Sequence, residues 1–179
     1  MRNVQRSVDF VNLMTYDFRV QSVDRTTGHH ANLRPHPDDD KQLSVERVVR
    51  DFRSAGVPAS KLVVGVPFYG RAWEQVTAER NGLYQPGQPA ALPLDLSPAG
   101  IDALVAADGG WLRGWDRRAQ APYLWHRERH IFASVEDERS LRMKARYVRD
   151  QHLAGVMFWE YFADPSGRLL QALNAALGR

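Results

Sequence analysis

Three short, almost wholly apolar segments constrain this chain most. Residues 7–16 read SVDFVNLMTY, residues 61–69 read KLVVGVPFY and residues 154–159 read AGVMFW. Continuous apolarity of this length, rich in β-branched and aromatic types, suits strands buried on both faces, as in a parallel sheet covered by helices. Between the first two, residues 44–55 carry helical spacing. Val45, Val48, Val49 and Phe52 share one face, Ser44 is the expected N-cap, Glu46 suits the first turn, and Gly56 and Pro58 stop the helix. Strand, helix, strand in that order implies a right-handed parallel crossover. A second helix is expected over about 137–152, with Leu141, Ala145, Val148 and His152 on one face and Arg139, Arg142, Arg146 and Arg149 on another. A last helix is expected over 164–177, with Asp164 as N-cap, Pro165 at its first position and Leu169, Leu173 and Leu177 as its apolar rail.

Residues 17–43 read as a long polar loop, with Gly28, His29, His30, Pro35, His36, Pro37, Asp38, Asp39 and Asp40. Ordered loops of that length are more often functional than short ones. The stretch 74–133 has a different texture, with Gly and Pro scattered among Tyr84, Trp111, Trp115, Tyr123 and Trp125. Strand-to-helix links in such folds run ~2–6 residues, so this stretch is expected to be an inserted small α+β domain with short antiparallel strands.

Composition enters as a set of exclusions. With 44% apolar and 25% charged residues among 179, the chain has material for a core. No apolar run reaches the ~18 residues of a membrane span, and no charged-then-apolar signal peptide is recognisable, so no membrane partner is expected. There is no cysteine, which removes disulfides, Cys-bound zinc and thiol chemistry. Basic residues are 21 Arg against 3 Lys, with a net charge of +3. Arginine suits phosphate, but here it is spread among carboxylates with no dense run, so no nucleic-acid partner is expected. His29, His30 and His36 lack a regularly spaced carboxylate on a rigid element, so no metal or other cofactor is expected.

In parallel α/β folds ligands bind at the carboxyl ends of the strands. The first segment ends in Met14-Thr15-Tyr16-Asp17, the second in Pro67-Phe68-Tyr69-Gly70-Arg71, the third in Trp159-Glu160-Tyr161. Two-residue alternation pairs Met14 with Tyr16, Tyr69 with Arg71, and Trp159 with Tyr161. Flat aromatics beside hydrogen-bonding groups suit a sugar ring, which has apolar faces and hydroxyl edges. The alternative is that these aromatics are simply core.

The segments VNLMTYDF, KLVVGVPFYGRAW, NGLYQPG, WDRRAQAPYLW and AGVMFWEY together resemble family 18 glycoside hydrolases, the chitinases, in the family's order and over nearly the whole chain. The resemblance implies a partial (β/α)8 barrel, an α/β TIM-type fold in which the three strands are the sixth to eighth. Residues 1–73 and 134–179 would be the C-terminal part of that barrel, and residues 74–133 the chitinase insertion domain, which walls the substrate groove. It also implies hydrolysis of β-1,4-linked N-acetylglucosamine chains by a retaining, substrate-assisted route, an exception to the two-carboxylate rule. A Glu protonates the glycosidic oxygen while the substrate's own acetamido carbonyl attacks the anomeric carbon. Carried over by motif, Tyr16 and Asp17 position the acetamido group and Met14 shapes the same subsite. Trp159 is the floor under the sugar, and Tyr69 and Arg71 line the groove. Asp116 and Tyr123 are further candidates for sugar contact. Phe18 to Ser22 depart from relatives that place Gly and Trp there, so no aromatic platform is expected on the leaving-group side. Members of the family are mostly secreted.

The resemblance is incomplete at one point. The family's acid lies in Asp-x-x-Asp-x-Asp-x-Glu, and the nearest run here is Asp38-x-Asp40-x-Gln42, which ends in an amide that cannot donate the needed proton. None of the seven Glu follows an Asp-x-Asp-x spacing, and strand parity directs Glu160 away from Trp159. A full barrel also needs ~250 residues before insertions. The expectation is therefore a C-terminal piece, inactive alone, whose partner is the N-terminal half of the barrel and whose ligand is chitin or its oligosaccharides. Two other readings stay open: a non-catalytic carbohydrate-binding relative, and a hydrolase of the same family acting on cell-wall or spore peptidoglycan sugars.

Overall fold

The computed structural model describes residues 3–91 and 94–178. In chain order the elements are β1 (Val11–Leu13), α1 (Val45–Ser54), β2 (Leu62–Pro67), β3 (Arg71–Glu74), β4 (Gln88–Pro89), α2 (Pro98–Ala107), β5 (Trp111–Asp116), β6 (Ala121–His126), β7 (Ile131–Ser134), α3 (Glu138–Asp150), β8 (Gly155–Trp159) and α4 (Arg168–Leu177). They form an α/β protein with two sheets. One is parallel, ordered β1–β2–β8; the other is antiparallel, ordered β4–β3–β7–β6–β5.

In the parallel sheet Leu13 stands beside Val64, and Val63 to Pro67 run alongside Gly155 to Trp159. Leu62, Val64, Val66 and Phe68 send their side chains into one core with Val45 and Val49 of α1, Leu141, Ala145 and Val148 of α3, and Leu169 and Leu173 of α4. Phe68 and Phe158 stack there with centroids 4.7 Å apart. The antiparallel sheet packs apolar side chains on both faces. Ala72, Trp111, Leu124, Ile131 and Ala133 lie with Ile101 of α2, and Trp73, Tyr123, Trp125 and Phe132 with Leu83 and Tyr84.

The helix starts follow from side-chain caps. Ser44 Oγ accepts the Arg47 N–H at 3.1 Å. Asp137 Oδ1 accepts the Ser140 N–H at 2.7 Å while Ser140 Oγ accepts the Asp137 N–H at 3.1 Å, a reciprocal capping box. Each such cap stabilises by about 1 kcal/mol. Helix α3 keeps Arg139, Arg142, Arg146 and Arg149 exposed but also buries Lys144 fully. The Lys144 ammonium meets the buried Glu136 carboxylate, which also accepts the Ser140 hydroxyl at 2.7 Å. Burial pushes the Glu136 carboxyl up, against the pull of Lys144.

Three expectations are corrected. The first strand is much shorter than 7–16: Val4–Ser7 is a 3₁₀ turn and only Val11–Leu13 pairs. It ends early because Thr15 turns back, its N–H on the Leu13 carbonyl at 2.8 Å and its hydroxyl on the Gly65 carbonyl at 2.7 Å. The last helix begins at Arg168 with Gly167 as N-cap, so Pro165 precedes it. Asp164 still caps it from outside, accepting the N–H groups of Arg168, Leu169 and Leu170 at 3.1, 2.9 and 3.1 Å. His152 lies beyond the end of α3 and is exposed, because the chain turns left-handed there with φ 54°. Residues 17–43 do form a loop without regular structure; Phe18, Arg19, Thr27, His29, His30, Asn32, His36 and Asp39 are buried in it, while Arg25, Arg34, Asp38 and Asp40 are exposed.

Gly65 fixes how closely β1 and β2 approach. A methyl there would lie 2.5 Å from the Leu13 carbonyl oxygen and 2.9 Å from the Tyr16 ring. Neither neighbour can yield without moving the strand end. Gly65→Ala is therefore expected to lower stability by about 2 kcal/mol, read as a lower urea midpoint at unchanged slope.

Candidate functional site

A cleft of about 620 Å³ opens at the carboxyl end of the parallel sheet, lined by Met14, Tyr16, Asp17, Tyr69, Gly70, Arg71, Trp159, Glu160 and Ala163. Each wall has a local cause. Beyond Thr15 the backbone enters the left-handed region at Asp17, φ 57°, a conformation that Asp tolerates better than most residues. Strict alternation would set Asp17 opposite Tyr16; the turn brings Met14, Tyr16 and Asp17 to one cleft. Gly70 lets the chain leave β2 and enter β3 beside β7. A methyl at Gly70 would lie 2.7 Å from the Ser134 carbonyl oxygen and 2.9 Å from Leu96, and Arg71 stands opposite Ser134 in the sheet.

The centre of the cleft is a bidentate ion pair. Arg71 Nε donates to Asp17 Oδ1 and Nη2 to Oδ2, both at 2.9 Å. Burial alone would raise the Asp17 carboxyl, but the hydrogen bonds and charge of Arg71, with help from Tyr69, hold it below the usual range. The Arg71 guanidinium also lies 4.8 Å from the centre of the Tyr69 ring. Tyr69 meets Tyr16 edge-on with centroids 6.3 Å apart. Burial, then the charge of Asp17, pushes both phenols up, so at neutral pH both remain O–H donors. Met14 and Trp159 are 72% and 59% exposed, which sets them apart from core aromatics and leaves their faces open to a ligand.

Six of the eight residues singled out from the sequence thus meet at one cleft: Met14, Tyr16, Asp17, Tyr69, Arg71 and Trp159. Asp116 and Tyr123 do not join them. Asp116 is buried under the antiparallel sheet's edge, where its carboxylate takes His29 Nε2 at 3.1 Å and the N–H groups of Arg118 and Ala119 at 2.8 and 3.1 Å. Burial opposes its charge, but these partners hold its pKa down at about 2. Tyr123 is buried, stacks on Phe132 at 5.7 Å, and accepts a bond from Asn81. Strand parity, which would direct Glu160 away from Trp159, does not hold there: β8 ends at Trp159, and both residues line the same cleft. His30, which its sequence neighbourhood marks for no role, is buried behind Tyr69, with its Nε2 3.1 Å from the Tyr69 carbonyl and its Nδ1 2.8 Å from Ser134 Oγ. Its partner Ser134 lies 104 positions away, so no local pattern marks it. Among the described residues no group of three or more His, Asp or Glu is arranged to hold a metal ion, and no helix is long and apolar enough to cross a membrane.

This geometry accompanies clear relationships to known proteins. Residues 1–164 match the family model for glycosyl hydrolases family 18. Chitinase A1 of Niallia circulans is 34% identical, over 95% of this chain and 26% of the relative. Chitinase B of Serratia marcescens is 30% identical, over 93% of this chain and 43% of the relative. Among solved structures, a family 18 N-acetylglucosaminidase from Paenibacillus barengoltzii superposes with a TM-score of 0.83 at 42% identity, over 98% of this chain and 50% of the other. Chitinase ChiW from a Paenibacillus species gives 0.92 at 35%, over 99% of this chain and 21% of the other. The chain belongs to glycosyl hydrolases family 18. It spans less than half the length of these two curated chitinases.

The buried histidine next to the cleft makes the fold acid-sensitive. Burial first, and the charge of Lys144 second, push the pKa of His30 down to about 3, while an unfolded histidine titrates near 6.5. Below that value the unfolded chain takes a proton that the folded chain refuses. Stability is therefore full above pH 6.5 and falls as the pH drops toward 3, by about 2 kcal/mol at pH 5 from this group alone. Asp116 adds a further loss below its unfolded range. Urea midpoints at pH 7, 6 and 5 check this, and a flat profile would contradict it.

Proposed function

We propose that the cleft holds an N-acetylglucosamine unit of a chitin-type chain and positions its 2-acetamido group for substrate-assisted, retaining hydrolysis. The observation that carries this reading is the convergence of an exposed tryptophan with neutral phenol donors and an ion-paired carboxylate at one set of strand ends. Trp159 offers its open face to the apolar face of the sugar. Tyr16 donates its O–H to the acetamido oxygen, aiming that oxygen at the anomeric carbon. Asp17 accepts hydrogen bonds as a fixed carboxylate, and Arg71 keeps it ionised and in place. Family membership supports the chemistry, and one neighbouring solved structure, a class V chitinase from Nicotiana tobaccum at 26% identity and TM-score 0.87, is in complex with NAG4.

The proton for the leaving group is a separate matter. The 179 residues contain no Asp-x-x-Asp-x-Asp-x-Glu run. Our reading is that β1, β2 and β8 correspond to the last three strands of a (β/α)8 barrel. Residues 74–133, with adjoining residues of β3 and β7, would form its insertion domain. The acid and the remaining strands would come from residues outside these 179, and a secreted location follows from the same family resemblance. The open outer edges of β1 and β8, which have no strand neighbour among the described residues, fit a sheet that continues. So do the exposed apolar side chains of Phe10, Met14 and Phe162.

The 179-residue chain alone is expected to release no fluorophore from a methylumbelliferyl N-acetylglucosamine oligomer. It is expected to bind chitotetraose by calorimetry, with Trp159→Ala weakening binding about tenfold, near 1.4 kcal/mol. Turnover by the pure chain that disappears in Glu160→Gln would identify Glu160 as the acid and overturn this division of labour. The open edges predict concentration-dependent association in sedimentation velocity; a monomer at all concentrations would contradict the barrel-segment reading.

A further inference from the structure

His30 is fully buried and bonded on every side. Its Nε2 lies 3.1 Å from the Tyr69 carbonyl, which can only accept, so Nε2 carries the hydrogen. Its Nδ1 lies 2.8 Å from Ser134 Oγ, and that same oxygen accepts the His30 backbone N–H at 3.0 Å. With Nε2 protonated in the neutral ring, the bare Nδ1 accepts the Ser134 hydroxyl hydrogen, and a second ring proton would displace that hydrogen and break the bond as it stands. The charged groups facing the ring are Lys144 from α3, Arg71 from β3 and Asp17 beyond β1, with Tyr69 alongside. The two positive charges and burial favour the neutral form; Lys144 is itself paired with Glu136. The ring also packs against the Tyr69 ring, centroids 5.7 Å apart.

These contacts converge on one short span. Tyr69 is two residues before Arg71, with only Gly70 between, and Ser134 is the cross-strand partner of Arg71. A glycine has the widest choice of backbone angles, so the direction of Arg71 is poorly fixed by β2 alone. We propose that His30 is a positioning residue of the cleft: by holding the Tyr69 carbonyl and Ser134 together it locks the Gly70 hinge and aims the Arg71 guanidinium at Asp17. Its link to sugar affinity rests on the function proposed above; its link to Arg71 does not.

The test separates the two. Long-range proton–nitrogen spectra of the wild-type chain should show His30 with Nε2 protonated and Nδ1 bare from pH 7 to 5. An Nδ1–H tautomer, or titration near 6.5, would overturn the proposal. The Arg71 Nε–H signal should be resolved and slow to exchange in wild type, and broadened or moved to the free-guanidinium position in His30→Ala. His30→Gln, whose amide N–H can reach the Tyr69 carbonyl, should restore it. Chitotetraose affinity should fall about tenfold in His30→Ala and return to within about threefold of wild type in His30→Gln. A folded His30→Ala with an unchanged Arg71 signal would overturn the proposal, since a purely structural histidine would lower stability without moving that signal. Should His30→Ala not fold, the wild-type tautomer and the His30→Gln Arg71 signal decide it. If wild type binds no oligosaccharide while the Arg71 signal responds as stated, the sugar reading fails and the positioning role stands.

Discussion

A backbone polar group that leaves water must find another partner, and the residues between β1 and α1 are where this rule shapes the molecule. They have no regular structure, yet they run through the interior. Their bonds go to both sheets and to α1. The His30 N–H reaches Ser134 on β7, the Arg34 N–H reaches the Ala119 carbonyl between β5 and β6, and the carbonyl of Asn32 takes the first N–H of α1. Arg25 and Thr27 bond to the stretch 85–87. Trp73, fully buried in the antiparallel sheet, gives its indole N–H to the Asp24 carbonyl at 2.9 Å. Arg19 sits among Asp24, Asp39 and Asp40. Neither sheet nor connector is satisfied without the others.

The cleft inherits its geometry from that arrangement. Asp17 is the residue just before the connector turns inward, and Arg71 is the first residue of the antiparallel sheet. Their ion pair therefore bridges the end of one sheet and the start of the other. A bidentate Arg–carboxylate contact is directional as well as attractive, so small shifts between the sheets would be felt as misalignment of the cleft-lining groups. The close approaches at Gly65 and Gly70 serve the same end, bringing the three strand ends to one cleft.

The parts of this legible in the sequence share a short range. Ser44 caps a helix three residues away, and the apolar runs at 62–67 and 155–159 mark two of the three parallel strands. The strand-end triplets carry most of the cleft because direction is set within two or three residues. Other features depended on distant partners. Asp116 looks like a groove residue until His29, 87 positions earlier, is found against it. Lys144 reads as one more basic residue in a charged helix until Glu136 is seen buried beside it. The polar content of residues 17–43 did not show that Arg19 and Asp39 are buried as a pair, because the partners are 20 positions apart. The Asp17 turn was equally hidden, because alternation assumes that the strand continues.

The short link from β8 to α4 carries a further consequence. The Phe68 N–H holds the Trp159 carbonyl at 2.7 Å, and Asp164 gathers three N–H groups of the last helix. Tyr161 and Phe162 lie between these anchors, 68% and 81% exposed, with their rings set edge to face. They are thus displayed on a backbone tethered at both ends. A surface that comes to cover them meets a backbone already fixed, so the ordering cost of contact falls on side-chain rotamers alone.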